Sequence, residues 1–319
     1  MSSRDAEEST GGPCVGIDIG GTKIAAAVVA STGTVLARGS VTTPRTGAID
    51  VLAAAAELVR EVTGGSAPCA LGVGSPGVID PASGTVWSAS AVLPGWAGAQ
   101  VVSELERRCH CPVGVDNDVR MMALGEATHG AGRGCADALY VSVGTGVGGA
   151  IWRAGRVWRG PHSTAGEIAH LLVPVDGAIP CGCGHRDHVE SAASGPAIEA
   201  AYAVRTGCRR DLREMAARIE GGDSAAAGVV EQAAGVLGRA LAGFVSAIDV
   251  EAVIVGGGVS LIGDSFLAPL RRALSSEVLA PLQGISVCHA ELGADAPLIG
   301  AAMFAFELID RSPVSAGAG

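Results

Sequence analysis

Val15-Gly16-Ile17-Asp18-Ile19-Gly20-Gly21-Thr22-Lys23-Ile24-Ala25-Ala26-Ala27-Val28-Val29 decides the fold, because Leu139-Tyr140-Val141-Ser142-Val143-Gly144-Thr145-Gly146-Val147-Gly148-Gly149-Ala150-Ile151-Trp152 repeats its plan. In each, a short apolar run ends in a Gly-Thr turn and a second apolar run leaves it at once, the pattern of two hairpin-linked strands. Ser31-Thr32-Gly33 and Ala154-Gly155 then turn the chain again, toward strands from Thr34 and from Arg156 to Trp158. This is unlike the strand-to-helix turn that binds dinucleotides. Gly-Gly-Thr-Lys also lacks the earlier Gly and the following helix of a P-loop. The repeat predicts two related halves that face each other with their turns, and backbone N–H groups in such turns form concave nests for phosphate oxygens.

The segments between alternate in type. Apolar residues at 49, 52, 55, 58, 59 and 62 have helical spacing, so Ile49 to Val62 is predicted as a helix. Ala70 to Gly74 and Val113 to Val115 read as strands, with Asp116-Asn117-Asp118 closing the second before a helical stretch from Val119 to Ala127. Val229 to Ala247 reads as a long buried helix, Ala252 to Val255 as a strand running into Gly256-Gly257-Gly258, and Pro297 to Leu308 as a final helix. The class is α/β with mixed sheets. Residues 1 to 12 are expected to be a disordered leader and 312 to 319 a frayed tail.

Composition sets the outer limits. A chain of 319 residues that is 48% apolar can fill two cores, although aromatics make up only 3% and 48 glycines imply closely packed backbones. A net charge of −10, with no cluster of basic residues, argues against nucleic acid as a partner. Lys23 is the only lysine. The arginine bias elsewhere reflects base composition more often than function. Nine cysteines without an apolar signal segment predict a reducing cytoplasm. No uncharged run reaches the roughly 20 apolar residues that cross a bilayer, so no membrane association is expected.

Three places carry chemistry. Cys181-Gly182-Cys183-Gly184-His185-Arg186-Asp187-His188-Val189-Glu190 follows Gly166-Glu167-Ile168-Ala169-His170 closely. Cys181, Cys183, His170 and either His185 or His188 make the four ligands of a closed structural zinc site. The plain alternative is a pair of small buried thiols, which is how Cys109 and Cys111 read. Such a metal would also fix Glu167 and Glu190, which taken alone read as surface acids. Asp118 stands where a strand ends and a helix begins, as a helix N-cap or as a general base. Gly256-Gly257-Gly258 is either a tight turn or a place of close nucleotide approach.

Taken in order, Asp18-Ile19-Gly20-Gly21-Thr22-Lys23, Gly74-Ser75-Pro76-Gly77, Leu93-Pro94-Gly95-Trp96, Asn117-Asp118, Gly144-Thr145-Gly146-Val147-Gly148-Gly149, Gly166-Glu167-Ile168-Ala169-His170, Cys181-Gly182-Cys183-Gly184 with Glu190, and Val255-Gly256-Gly257-Gly258 resemble the ROK family of bacterial sugar kinases and sugar-responsive repressors. The resemblance runs over roughly residues 13 to 308. It implies the actin-like ATPase fold, two lobes with duplicated ribonuclease H-like cores around a cleft. The small lobe would be residues 13–117 with 300–319, and the large lobe 118–299 with a zinc segment at 166–190. ATP and magnesium would take the turns formed by Asp18, Gly20, Gly21, Thr22 and Lys23, by Gly144, Thr145 and Gly146, and by Gly256, Gly257 and Gly258. Asp118 would take the proton of a hexose 6-hydroxyl. Asn117, Glu167, His170 and Glu190 would hold the ring hydroxyls, with Gly74 and Val92 completing the sugar side. His170 would join Cys181, Cys183 and His188 on zinc, and similar proteins form homodimers or homotetramers.

Two departures from the family pattern stand out. His188 replaces the third zinc cysteine, an exchange that zinc accepts. Val92 replaces the asparagine that bonds the 3/4 edge of glucose, and a buried hydroxyl without a partner costs about 1 to 3 kcal/mol. Ser88 or Ser90 reaches in instead, water fills the gap, or the substrate differs there, as a 3-amino-3-deoxyglucose (kanosamine) would; N-acetylmannosamine belongs to the same set of candidates. The expected activity is ATP-dependent phosphorylation of a hexose or amino-hexose. A sugar-responsive repressor would need a winged helix ahead of the first turn, and a silent sugar sensor has no use for Asp118.

Overall fold

The computed structural model describes residues 12–89, 93–173 and 179–311. The expected leader, apart from residue 12, and the expected tail lie outside the described residues, as does Val92 with Ser90. The chain forms two compact units: the described residues up to Gly125 together with those from Pro297, and Glu126–Ala296. The boundaries suggested by the resemblance, at 118 and 300, run a few residues inside the first of these.

The first unit contains β1 (Cys14–Ile19), β2 (Lys23–Val29), β3 (Val35–Thr42), α1 (Ala48–Val62), β4 (Leu71–Ser75), β5 (Val78–Ile79), β6 (Val86–Ser88), α2 (Val101–Cys109), β7 (Val113–Asn117) and the start of α3 (Asp118–His129). Its sheet has the order β3-β2-β1-β4-β7, antiparallel on the β3 side and parallel through β1, β4 and β7. β1 and β4 are covered on both faces, whereas β3 at the edge is largely exposed. α1 buries Val51, Leu52, Ala55, Ala56, Leu58 and Val59 on one stripe. Each Val or Leu removed from water in this way contributes about 1.5 to 3 kcal/mol. Cys109 and Cys111 pack against the same core, in keeping with their packing role.

The last helix, α9 (Ala296–Arg311), covers the other face of this sheet. It lies directly on the strand backbone. A Cβ on Gly16 would stand 1.9 Å from Leu298 O, and one on Gly72 only 1.7 Å from Ala301 O. Glycine in the middle of two strands, ordinarily a weakness there, is what allows this approach.

The second unit contains β8 (Asp137–Val143), β9 (Val147–Arg153), β10 (Arg156–Trp158), α4 (Val189–Ala193), α5 (Gly195–Thr206), α6 (Leu212–Glu220), α7 (Ser224–Ile248), β11 (Ala252–Gly256), α8 (Asp264–Glu277) and β12 (Ser286–His289). Its sheet order, β10-β9-β8-β11-β12, has the same succession of antiparallel and parallel neighbours as the first. The repeat seen over three strands in the sequence therefore extends to all five. α7 supplies the longest buried stripe, from Ala226 to Val245, and Asp223 caps its start by accepting the N–H groups of Ala225 and Ala226. Among the described residues no helix is long and apolar enough to cross a membrane.

Candidate active site and metal centre

Register in the first unit carries Asp18, Gly74 and Asp116 across three neighbouring strands in one row, with Ser75 and Asn117 one step beyond. This row lies at the carboxyl ends of the parallel strands, the usual place for ligands in α/β sheets. The Gly20–Lys23 turn closes with Gly20 N–H donating to Lys23 O at 3.0 Å. Thr43, 2% exposed, supports it from below: its hydroxyl donates to Gly20 O at 2.7 Å and its N–H to Thr22 O at 3.0 Å. Burial pushes the Asp18 carboxyl up to about 6, against the opposite pull of Lys23. A carboxylate so disfavoured in its charged state is suited to a divalent cation.

Asp118 is the first residue of α3, but the side-chain cap is Asn117. Asn117 Oδ1 accepts the N–H groups of Val119 at 3.0 Å and Arg120 at 3.3 Å, while its Nδ2 donates to Gly77 O at 3.3 Å. The N-cap reading thus belongs one residue earlier than the sequence suggested, and Asp118 accepts the adjoining Val119 N–H at 2.9 Å. Beneath the pair lies a buried ion pair, Arg120 to Asp116 at 2.9 Å with side chains 2% and 4% exposed, and Asp116 also accepts the Asn117 N–H at 2.7 Å. Gly74 packs against Asp118 and Met121, and Trp96 donates to the buried Ser75 hydroxyl at 3.0 Å. None of Asp116, Arg120 or Thr43 was marked as functional from the sequence; an Asp-to-Arg spacing of four at a helix start was the available signal.

In the second unit the Gly144–Gly146 turn closes with Gly144 N–H donating to Gly146 O at 2.8 Å. Gly144 also faces the Gly256–Gly258 turn, since a Cβ on it would lie 3.9 Å from Gly258 N. Gly257 has φ +86°, and a Cβ there would stand 2.4 Å from Val143 O. Its glycine is thus explained by tight packing, the plainer of the two readings. Gly258 faces open space. Ser260 donates to Gly257 O at 2.7 Å and lies 3.0 Å from His289 Nε2. Beside these turns, α5 and α6 border a cavity of about 450 Å³ lined by Pro196, Glu199, Arg209, Arg210, Asp211 and Glu214. The α5 start is tied to the turn by Gly195 N–H donating to Gly144 O at 2.8 Å. The sequence reading missed this cavity, although the capping box Asp211 to Glu214 was visible there.

The four metal-ligand candidates come together. One ligand atom each from His170, Cys181, Cys183 and His188 lies within 4.8 Å of the others. His188 Nδ1 is 3.3 Å from both His170 Nδ1 and Cys183 Sγ, whereas the exposed His185 stands outside the group. The loop is formed for this: Gly184, at φ +91°, closes a turn onto Cys181 O, and Cys181 N–H donates to His185 O at 2.8 Å. A bridge from Leu172 to His188 brings the His170 segment alongside. Burial, with Cys183 beside it, pushes the Cys181 thiol above its ordinary value. Two sulfurs and two imidazoles at such spacing are a donor set that fits zinc. Glu167 precedes the short 3-10 helix Ile168–His170, and Glu190 accepts the Val147 N–H at 3.1 Å.

Comparison with known proteins identifies the family. A glucokinase of Halalkalibacterium halodurans is 32% identical over 90% of this chain and 92% of its own length. An N-acetylmannosamine kinase of Haemophilus influenzae is 31% identical over 94% of this chain and 97% of its own. The crystal structure of a ROK family glucokinase from Streptomyces griseus, in complex with glucose and AMPPNP, superposes with a TM-score of 0.84 at 33% identity, covering 93% of this chain and all of that one. The fold is that of the actin-like ATPases. With the ROK family model matching residues 14–307, the chain belongs to the ROK family.

Proposed function

We propose that this chain, a sugar kinase, transfers the γ-phosphoryl group of ATP to the 6-hydroxyl of a hexose or amino-hexose, with Asp118 as the general base. The observation that carries the reading is the placement of Asp118 at the carboxyl end of β7, with the neighbouring Asn117 serving as the cap that Asp118 would otherwise be. Phosphoryl transfer asks the protein mainly for positioning and charge neutralisation. Asp118 takes the proton of the 6-hydroxyl as that oxygen attacks. Asn117 Nδ2, Glu167, His170 and Glu190 orient the ring hydroxyls, with the Gly74 backbone beside them.

Beyond the Gly20 and Gly144 N–H groups, which close the turns, the remaining N–H groups of Gly20–Lys23 and Gly144–Gly146, with that of Gly258, hold phosphate oxygens, and the α5–α6 cavity takes the nucleoside. Asp18 would hold magnesium, which supplies neutralisation of the triphosphate charge. His170, Cys181, Cys183 and His188 would hold a structural zinc that takes no part in the reaction. Its work is to keep His170 and Glu190 in place.

The test is ATP consumption with glucose, mannose, N-acetylmannosamine and kanosamine, repeated with Asp118→Asn. The substitution is expected to lower kcat by about 10² to 10⁴ while sugar affinity largely persists. Unchanged turnover rules out the base, and no turnover with any hexose rules out the substrate class.

A further inference from the structure

The metal loop and the Gly144–Gly146 turn are joined by a path that the roles above leave unused. His188 immediately precedes α4, so whatever fixes its ring fixes the start of that helix. Two residues on, the Glu190 carboxylate accepts the Val147 N–H, and its Oε2 lies only 2.5 Å from where a Cβ on Gly146 would be. At the other end of α4, Ser194 N–H donates to Glu190 O at 3.2 Å and Gly195 N–H to Gly144 O at 2.8 Å. One side of the turn is therefore held from within a five-residue helix, and the other from the first residue of α5, two positions beyond that helix's end. A helix that short has little stability of its own, so its place depends on the burial of Val189 and Ala193 in the core and on what anchors its ends. The far end continues into α5. The near end is fixed by Val189 N–H donating to Leu171 O, a bridge at Leu172, whose side chain is exposed, and the metal ligands themselves.

We infer that Glu190 is a positioning residue for the nucleotide's phosphate turn, through which occupancy of the His170–Cys181–Cys183–His188 cluster sets affinity for the nucleotide. The inference rests on the reading that Gly144–Gly146 receives phosphate oxygens. A nest of N–H groups binds an anion only when those groups converge, and a turn whose exit at Val147 has come loose loses that convergence.

The experiment is calorimetric titration of AMPPNP with magnesium into zinc-loaded and chelator-stripped protein, for wild type, Glu190→Ala and Glu190→Gln. Hydrogen exchange is followed alongside in peptides spanning 144–150 and 14–29. Stripping wild type is expected to weaken AMPPNP at least fivefold and to speed exchange at 144–150 alone. Glu190→Ala is expected to bind weakly with or without zinc. Glu190→Gln, whose amide carbonyl still accepts the Val147 N–H, is expected to keep both the affinity and its dependence on zinc.

Equal AMPPNP affinity in loaded and stripped wild type overturns the coupling, and so does a Glu190→Ala protein that still loses fivefold on stripping. Faster exchange in both peptides overturns it too, by showing general unfolding. If zinc-loaded wild type binds no AMPPNP, the phosphate-turn reading falls with it; if it phosphorylates sugar normally with zinc-independent affinity, only the coupling falls.

Discussion

Replacing Asp18 with asparagine is expected to abolish activity and at the same time to stabilise the first unit at neutral pH. The side chain lies where the fold disfavours its charge, and its proton is held up to about 6 instead of the ordinary 3.8. At about 1.4 kcal/mol for each tenfold change in proton affinity, ionisation costs the folded state about 3 kcal/mol, less whatever solvent at this partly covered site screens. Between pH 3.8 and 6 the folded protein holds this proton more tightly than the unfolded chain does. Stability from this group is therefore present below the lower value and is lost as pH rises through that interval. Asparagine does not titrate, so the advantage of the variant should open between about pH 4 and 6 and then stay level at about 1 to 3 kcal/mol. Urea unfolding read by hydrogen exchange in the β1–β2 peptides, at pH 4, 5, 6 and 7.5, isolates the unit concerned from the rest of the chain. An advantage independent of pH, or a wild type more stable at pH 7.5, would refute the reasoning.

Other outcomes follow from features already described. Metal analysis of purified protein is expected to find one zinc per chain, lost in Cys183→Ser, and a well-folded preparation without zinc removes the assignment. Gly257→Ala forces a side chain into backbone at φ +86° and is expected to cost roughly 2 kcal/mol or more in thermal or denaturant unfolding, while Gly258→Ala, in open space, should leave stability alone and raise KM for ATP. Equal stability of the two variants contradicts the packing argument. Arg120→Met takes the guanidinium from the buried Asp116 carboxylate and is expected to lower stability by about 3 to 5 kcal/mol; a change below 1 kcal/mol in equilibrium unfolding would show the pair to be dispensable.

The hairpins were legible because each is local: two apolar runs and a glycine turn sit within a few residues, and β2 and β10 begin and end where the sequence put them. β12 was not, being four residues long and only partly covered, with no burial pattern to mark it. α5 and α6 are short and bear mixed surfaces, so they carry no long stripe. The identity of the α3 cap was ambiguous because Asn117 and Asp118 are both good caps, and only the finished backbone decides which oxygen reaches Val119 and Arg120. The Cys/His cluster was visible as spacing, but that His188 and not His185 joins it became clear only with the bridge at Leu172. Glu190 reaches across 43 residues to Val147, a separation at which no sequence pattern speaks.

The first unit is drawn from both ends of the chain, and its sheet is roofed on one side by a helix that comes last. During synthesis its strands leave the ribosome early yet wait for that roof, with Ala25, Ala27 and Val29 bare until Leu298 and Ala302 arrive. The contiguous segment 126–296 has no such wait. Maturation would thus run from the middle outward, and a nascent chain stalled before Pro297 should hold a protease-resistant central piece behind a digestible amino-terminal one.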